Sequence, residues 1–363
     1  MKSYHVRAAE CSGSEFNLDP QRGAAIASPF QNWIKKYWFM LGLVGVFALT
    51  LGDPFSLVAP AGSRLKNSIG PNLSVFTIFF LSGLMLNARL IRSGLRDIKG
   101  TLLALVLIFI AAPLLAALCS LAPLETGFLM GIFLVAVMPT TMSSGVVMSG
   151  AAGGNMAHAL FITIVANALA IVTIPLTLTL LLALVGQSVE VAIDQRAIMI
   201  KLGLLVLLPL SLGLGVKMAA ARWVEPHTPR FSIINQVMIL IIVWMAISPV
   251  RGKILANALM IGQVALWVIL FHGALWLVAA GFVKFFGLPP GRRESVIFMG
   301  GQKTLPLSVI LQMSLFPQYE SALVACVIHH LIHLLMDGYL VGRLAAGRRS
   351  SPGAVASAVV ERG

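Results

Sequence analysis

Long apolar stretches dominate the hydropathy pattern of this chain, and short polar or basic stretches separate them. A run of about 18 or more mostly apolar residues can cross a bilayer as a helix. The sequence therefore predicts ten membrane spans, at residues 37–52, 71–88, 100–120, 126–149, 155–185, 198–219, 231–249, 257–286, 295–315 and 320–342. The predicted fold class is an all-α polytopic membrane protein with ten transmembrane helices.

The composition supports a membrane protein. Of the 363 residues, 58% are hydrophobic and only 11% are charged. A soluble globule could not hide so many apolar residues in one core. The lipid bilayer is therefore the first predicted partner.

The formal charge of +13 is a topology signal and does not indicate nucleic-acid binding. Nineteen of the 26 Lys and Arg residues lie in segments that face the cytoplasm if the amino terminus is cytoplasmic, and six lie in the opposite segments. This asymmetry predicts an integral plasma-membrane protein, in a bacterium the inner membrane, with both termini in the cytoplasm. Anionic lipid headgroups are the expected partners of the basic loops.

A polar connection, Gly186 to Lys201, divides the ten spans into five and five. An odd number of spans per half makes the second half enter the membrane from the opposite side, as in inverted-repeat transporters. The predicted organisation is a disordered cytoplasmic tail at 1–34, a transmembrane domain at 35–345 with repeats at 35–185 and 197–345, and a second disordered tail at 346–363.

Residues that interrupt helices lie at matching places in the two halves. The fourth span contains "VMPTTMSSGVVMSGAAGGN", Val137 to Asn155, and the ninth contains "FMGGQKTLPLS", Phe298 to Ser308. Either segment alone could be an ordinary kink. Matched interruptions favour two broken helices that cross near the midplane and aim their ends at one shared site.

A lysine, Lys303, lies in the second of these segments. A lysine at the bilayer centre costs about 2.5–3.5 kcal/mol, so its charge requires compensation. Candidates are freed backbone carbonyls, the anionic group of a substrate and nearby polar side chains. Replacing Lys303 by Met is expected to remove a costly charge and to leave the fold intact. The predicted substrate- or ion-binding residues here are Lys303, Gln302, Thr304, Thr140, Thr141, Ser143 and Ser144.

Three stretches, "FLSGLMLNARL", "VMPTTMSSGVV" and "GGQKTLPLS", resemble the bile acid:sodium symporter family. They are most similar to its orphan branch, which includes the seventh vertebrate member and the fungal calcium-homeostasis regulator. The resemblance covers residues 35 to 345. It implies ten spans in two inverted five-helix repeats, crossed and broken fourth and ninth helices, and alternating access.

The departures from the sodium-coupled branch concern its ligands. The glutamate of that branch falls on Phe298, an asparagine on Gly145 and a glutamine on Ile108, whereas Ser144, Thr163 and Gln302 match. Hard cations prefer several oxygen ligands, including a carboxylate. The resemblance therefore does not carry sodium coupling to this chain. Lys303 is predicted to act as a built-in cation in place of sodium, and its release and uptake of a proton would allow proton coupling.

His329, His333 and Asp337 lie on one stripe of the tenth span and form a possible proton path. Alternatively, Asp337 could be hydrated near the cytoplasmic surface. Asn155 is interpreted as an ion-path residue or as a helix cap. His158 and Asn167 are also explained by packing and interhelical hydrogen bonding.

The sequence shows no nucleophile–base pair, phosphate-cradling loop or metal-ligand set, so we predict no enzyme, cofactor or metal site. Ser143 and Ser144 beside Lys303 are compatible with a serine–lysine hydrolase, but no further feature of one accompanies them. The predicted function is secondary transport of a small organic anion without a strict sodium requirement. Two alternatives are a sodium-coupled anion symporter and a regulator of calcium homeostasis that acts through an unknown protein partner.

Overall fold

The structure is a computed structural model, and it describes residues 29–86, 97–142, 144–185 and 194–349 of the chain. All regular secondary structure in these ranges is helical, which confirms the all-α fold class. We number the helices α1 (Pro29–Gly52), α2 (Val58–Lys66), α3 (Gly70–Met85), α4 (Ile98–Cys119), α5 (Thr126–Ala136), α6 (Ser144–Ala151), α7 (Met156–Val185), α8 (Gln195–Ala219), α9 (Ala221–Ala256), α10 (Ala258–Phe285), α11 (Arg292–Gly301), α12 (Leu305–Leu315) and α13 (Glu320–Arg349).

Six of the described helices are long and apolar enough to cross a membrane, namely α4, α7, α8, α9, α10 and α13. The pair α2 and α3 adds a seventh if the two helices, bent by 77°, form one span. Large apolar side chains such as Leu118, Leu180 and Leu277 are exposed on the outer faces of these helices. Such faces suit contact with lipid tails. The chain is an integral membrane protein.

Both predicted interruptions are present in the structure. The fourth predicted span is occupied by α5 and α6, which are separated by residues 137–143. The ninth is occupied by α11 and α12, which are separated by residues 302–304. We call these two segments the first break and the second break. The total of ten spans and the two inverted repeats stay predictions.

The predicted tails and the central connection fall largely on residues 1–28, 186–193 and 350–363, which lie outside the described residues. Helix α1 begins at Pro29 and α13 ends at Arg349, so helical structure extends past both predicted limits of the 35–345 domain. The domain boundaries stay predictions.

From Gly42 onward the described helices pack into one unit with an apolar core. Helices α3 and α8 approach closely where Gly83 faces Gly213. A Cβ atom on Gly213 would lie 2.1 Å from the carbonyl oxygen of Phe80, so this crossing requires glycine. Around the breaks, Phe133, Phe298 and Lys303 are among the largest fully buried side chains. The breaks therefore lie inside the protein.

Candidate functional site

The two breaks are joined by a hydrogen bond in the interior. Pro139 has no N–H to continue α5, and the N–H of Met138 turns back to Val135 O at 3.1 Å. In the second break Gln302 and Thr304 are extended, with ψ angles of 146° and 127°. The Thr304 N–H donates to Pro139 O at 3.0 Å. A backbone N–H of the second break thus pairs with a backbone carbonyl of the first break, so each break satisfies part of the hydrogen-bonding capacity of the other.

Three backbone carbonyls surround the ammonium of Lys303. Its Nζ donates to Ile108 O at 2.9 Å, to Ala136 O at 2.9 Å and to Met138 O at 3.0 Å. A lysine ammonium has three N–H donors, so each of them has an acceptor. Among the compensating groups that the sequence suggested, the structure selects the freed carbonyls.

The sequence explains why these carbonyls are free. Helix α4 contains a π-helical turn, Leu107–Ala111, in which the Ala112 N–H donates to Leu107 O. At the same five-residue spacing Ile108 O would accept from residue 113, but Pro113 has no N–H. Ala136 is the last residue of α5 and Met138 lies two residues beyond it in the first break, where carbonyls lack helical partners and the helix dipole is negative. The cation therefore has a prepared oxygen site.

The side chain of Gln302 connects the first break to α13. Its Oε1 accepts hydrogen bonds from the hydroxyls of Thr141 and Ser144, the latter at 3.0 Å. Its Nε2 donates to Asp337 Oδ2 at 2.8 Å. A Cβ atom on Gly145 would lie 3.0 Å from Gln302 Oε1, so a larger side chain at that position would crowd this amide.

A second buried polar group adjoins the first break from α7. Asn167 Nδ2 donates to Thr163 O at 2.9 Å and to Thr140 O at 3.4 Å, and the Thr163 hydroxyl donates to Ala159 O. Thr140 Oγ1 and Asn167 Oδ1 have no hydrogen-bond partner within the described residues. Two buried oxygens near the break are therefore available to a ligand.

Asp337 is fully buried and accepts hydrogen bonds from three side chains. Its Oδ1 accepts from Trp276 Nε1 at 2.9 Å and from His272 Nε2 at 3.2 Å, and its Oδ2 accepts from Gln302. The interpretation as a hydrated surface carboxylate does not describe this conformation, because Asp337 has no exposed area. The last helix thus supplies an acidic residue beside the second break, which the broken segments themselves lack.

The predicted stripe of His329, His333 and Asp337 belongs to a larger buried cluster. His272 on α10 lies with its ring centroid 5.7 Å from those of both His329 and His333, and His330 lies 4.8 Å from His333. His333 Nδ1 lies 3.1 Å from the carbonyl oxygen of His329. We call His272, His329, His330, His333 and Asp337 the histidine cluster.

The structure does not bring every predicted residue to the breaks. Asn155 is exposed and caps α7, its Oδ1 accepting from the N–H groups of Ala157 and His158 at 3.0 and 3.1 Å. This geometry fits the helix-cap interpretation. His158 is buried, and its Nε2 lies 3.7 Å from Asp97 Oδ2. Ser143 lies outside the described residues.

Sequence reasoning missed the Ile108 carbonyl, His272 and Trp276. His272 could have been found, because it is an ionisable residue inside an apolar span, and Trp276 follows one helical turn later. Ile108 was interpreted as a lost side-chain ligand. Its backbone role depends on the π turn and on Pro113, and a π turn is not apparent from hydropathy.

The arrangement holds charge and offers oxygen ligands. Within the described part of the chain, no three His, Cys, Asp or Glu side chains are grouped to hold a metal ion. The N–H groups of Lys303 point to carbonyls, which leaves none for Ser144 and gives no support to a serine–lysine hydrolase.

A comparison with protein families decides the family. The model of the SBF-like CPA transporter family matches residues 37–346, which is most of the chain. The protein belongs to this family. The SBF-like membership confirms the resemblance to bile acid:sodium symporters, and the family is one of transporters.

Curated proteins similar to this SBF-like chain carry transporter names. A probable sodium/metabolite cotransporter, chloroplastic BASS4 of Arabidopsis thaliana, is 29% identical over 79% of this chain and 71% of its own length. Sodium/bile acid cotransporter 7-A of Xenopus laevis is 28% identical over 85% of this chain and 91% of its own. Sodium/bile acid cotransporter 7 of Rattus norvegicus is 27% identical over 85% and 92%.

Proposed function

We propose that this protein is a secondary transporter that moves a small organic anion by alternating access and does not require sodium. The observation that carries the proposal is the position of Lys303, whose ammonium occupies a three-carbonyl site at the junction of the two breaks. A fixed cation there does what a bound metal cation would do, because it offsets the negative ends of the local dipoles.

The proposed architecture has ten transmembrane helices in two inverted five-helix repeats. The α5–α6 pair and the α11–α12 pair are the broken fourth and ninth helices, and they cross at the breaks. The positive-inside asymmetry supports a plasma membrane location, the bacterial inner membrane, with both termini cytoplasmic.

The ligand positions support independence from sodium. The sites of the family's glutamate, asparagine and glutamine are occupied by Phe298, Gly145 and Ile108. Phe298 has no side-chain oxygen, and the carbonyl oxygen of Ile108 accepts a hydrogen bond from Lys303. A sodium ion would have to compete with a tethered ammonium for the same oxygens.

Two features support an anionic substrate. Three carbonyls accept from the three N–H groups of a charged ammonium and carry no net charge themselves, so an anion near the breaks gains electrostatic energy from Lys303. Helices α6 and α12 begin at the breaks, and their amino ends carry the positive end of the helix dipole. We propose that Gln302, Thr304, Thr140, Thr141, Ser143 and Ser144 contact the substrate, with Thr163 positioned behind them through Asn167.

A sodium-coupled anion symporter is the second candidate, since the names of the relatives include sodium. Ser144, Thr163 and Gln302 would then be the remaining ligands. Neither the family description nor these names point to a calcium-homeostasis regulator.

Uptake into proteoliposomes tests the proposed function. The probes are radiolabelled pyruvate, glutarate and cholate, which sample monocarboxylates, dicarboxylates and a steroid acid. Vesicles that contain the protein should accumulate at least one probe above empty vesicles, equally well with sodium or with choline outside. A strict sodium requirement would favour the symporter alternative, and uptake of none of the probes by intact, folded protein would count against an anion carrier.

A further inference from the structure

The histidine cluster contains more proton acceptors than its internal hydrogen bonds use. Five buried ring nitrogens have no hydrogen-bond partner within the described residues: His272 Nδ1, His329 Nε2, His330 Nδ1, His330 Nε2 and His333 Nε2. Buried polar atoms are rarely left unpaired without a functional reason. So many unpaired ring nitrogens in one cluster indicate a binding site for a small ligand or ion.

The existing bonds fix which nitrogens are free of hydrogen. A carboxylate oxygen can only accept, so His272 Nε2 carries the hydrogen toward Asp337 Oδ1, and Nδ1 of the neutral ring is a bare acceptor. A carbonyl also only accepts, so His333 Nδ1 carries the hydrogen toward His329 O, and Nε2 is bare. Both rings can therefore bind one proton without losing a bond.

The buried charges near the breaks favour such a proton when an anion is present. Lys303 contributes one positive charge and Asp337 one negative charge, and Gln302, which precedes Lys303 in the chain, donates to Asp337. A monovalent anion would leave this buried region with a net negative charge. One proton on the cluster restores neutrality, which a low-dielectric interior strongly favours.

Other titratable groups around α13 do not neutralise the cluster. Helices α5, α6 and α12, which pack on α13, contain no titratable side chain. Lys253 on α9 pairs with Glu320 at the beginning of α13. Arg251 of α9 donates to the carbonyls of Thr50 and Leu51, and Lys284 lies in the last turn of α10. Lys303 acts electrostatically on His329, and His272 contacts Asp337 from α10.

A cavity and an adjoining cleft lie next to the cluster. A cavity of about 350 Å³ lies beside Glu125, Gln263 and Trp267. A narrower cleft shares Ile132, Val268 and Ala325 with this cavity and reaches His329. The cleft is too narrow for a water molecule in this conformation, so access requires a modest opening.

We propose that His272, His329, His330, His333 and Asp337 form a proton-binding site whose charge state is transmitted to the breaks through Gln302. This proposal makes the proton the coupling ion of the transporter, and to that extent it rests on the proposed function. When His272 or His333 gains a proton, the ring becomes an imidazolium beside the Asp337 carboxylate. Gln302 then donates to a carboxylate that belongs to an ion pair, whereas at present it donates to a carboxylate without a charged partner.

Ring NMR of histidine-labelled protein in lipid nanodiscs tests the site without any substrate. Between about pH 8.5 and 4.5, the ring signals of at least one cluster histidine should titrate in step with the indole N–H signal of Trp276. The change Asp337→Asn should lower that midpoint, because it removes the carboxylate that favours the charged imidazolium. Asp194→Asn is the matched control, since Asp194 is an exposed helix cap, and it should leave the midpoint unchanged.

Trp276→Phe provides a milder variant if Asp337→Asn does not fold, because it removes one donor from Asp337 and leaves the carboxylate. It should also move the midpoint. Cluster rings that do not titrate, or a midpoint that neither variant moves, would overturn the proposal. Since the spectra require no anion, such a result would leave anion transport itself standing.

Discussion

The ammonium of Lys303 and the carbonyl oxygen of Ile108 lie 2.9 Å apart, although 195 residues separate them in the chain. The two other acceptors, Ala136 O and Met138 O, belong to the end of α5 and to the first break. One side chain therefore fastens α4, the first break and the second break together. The charge of Lys303, which would be costly in lipid, therefore stabilises the contact between these three elements.

Lys303→Met should destabilise the protein, in contrast to the sequence-based expectation that it would fold unharmed. The change leaves three buried carbonyls unsatisfied at about 1–3 kcal/mol each, which outweighs the relief of the buried charge. A thermal melt in detergent should show a midpoint lower by more than about 5 °C.

Lys201→Met is the matched control for that change. Lys201 is half-buried on α8 and donates to the hydroxyl of Ser314. Its loss therefore leaves one hydroxyl without this donor and leaves no group of buried carbonyls unsatisfied. It should lower the midpoint much less. Equal midpoints for the two variants would show that the three carbonyl contacts contribute little.

Pro113→Ala should weaken the same site from the other side. The new N–H at position 113 can donate to Ile108 O within the π turn and compete with Lys303. Helix α8 offers a control, because it has the same π turn followed by a proline at 209. Pro209→Ala should be neutral or stabilising, whereas Pro113→Ala should be destabilising. In a double-mutant cycle, Pro113→Ala should have little further effect once Lys303 is Met; additive effects would argue against competition.

Gly145→Ala should disturb the position of Gln302. The added Cβ lies 3.0 Å from Gln302 Oε1 and 3.1 Å from Met299 Sδ, so the amide must move. Gly281→Ala in α10 is the control, since open space surrounds that position. Alanine there should stabilise by about 0.4–1 kcal/mol, as in other unstrained helices. Melting curves that place Gly145→Ala level with Gly281→Ala would mean that the first break tolerates a shift of Gln302.

Asp97→Asn should loosen the start of α11. Asp97 Oδ2 lies 3.0 Å from Arg292 Nε, and Asp97 Oδ1 caps α4 by accepting from the Gly100 N–H. Asparagine keeps the cap but loses the ion pair. Hydrogen exchange of the first turn of α11 should become faster. Glu225→Gln, which breaks the pair between the exposed Glu225 and Lys217, should not change exchange there; a uniform response to both would indicate a general charge effect.

The sequence predicted the elements whose signals are local and left out those that depend on tertiary contacts. Pro139 and Pro306 predict both breaks because proline has no N–H for a helical hydrogen bond, and the paired glycines lower helix propensity. Lys303 was recognised from its cost in lipid. Freed carbonyls were among the predicted partners of Lys303, but which carbonyls bind it could not be predicted, since backbone carbonyls have no side-chain signature. Asp337 was placed on the correct stripe, but its burial depends on Trp276 and His272 of another helix, which hydropathy does not pair.

Equilibrium binding of radioactive sodium to the purified protein in nanodiscs tests most directly whether Lys303 replaces the metal. We expect no saturable sodium binding to the parent protein up to tens of millimolar, because a tethered ammonium holds the three carbonyls. Lys303→Ala should gain binding, since it releases those oxygens. Saturable binding of sodium to the parent, at about one ion per chain, would show that Lys303 does not replace the metal.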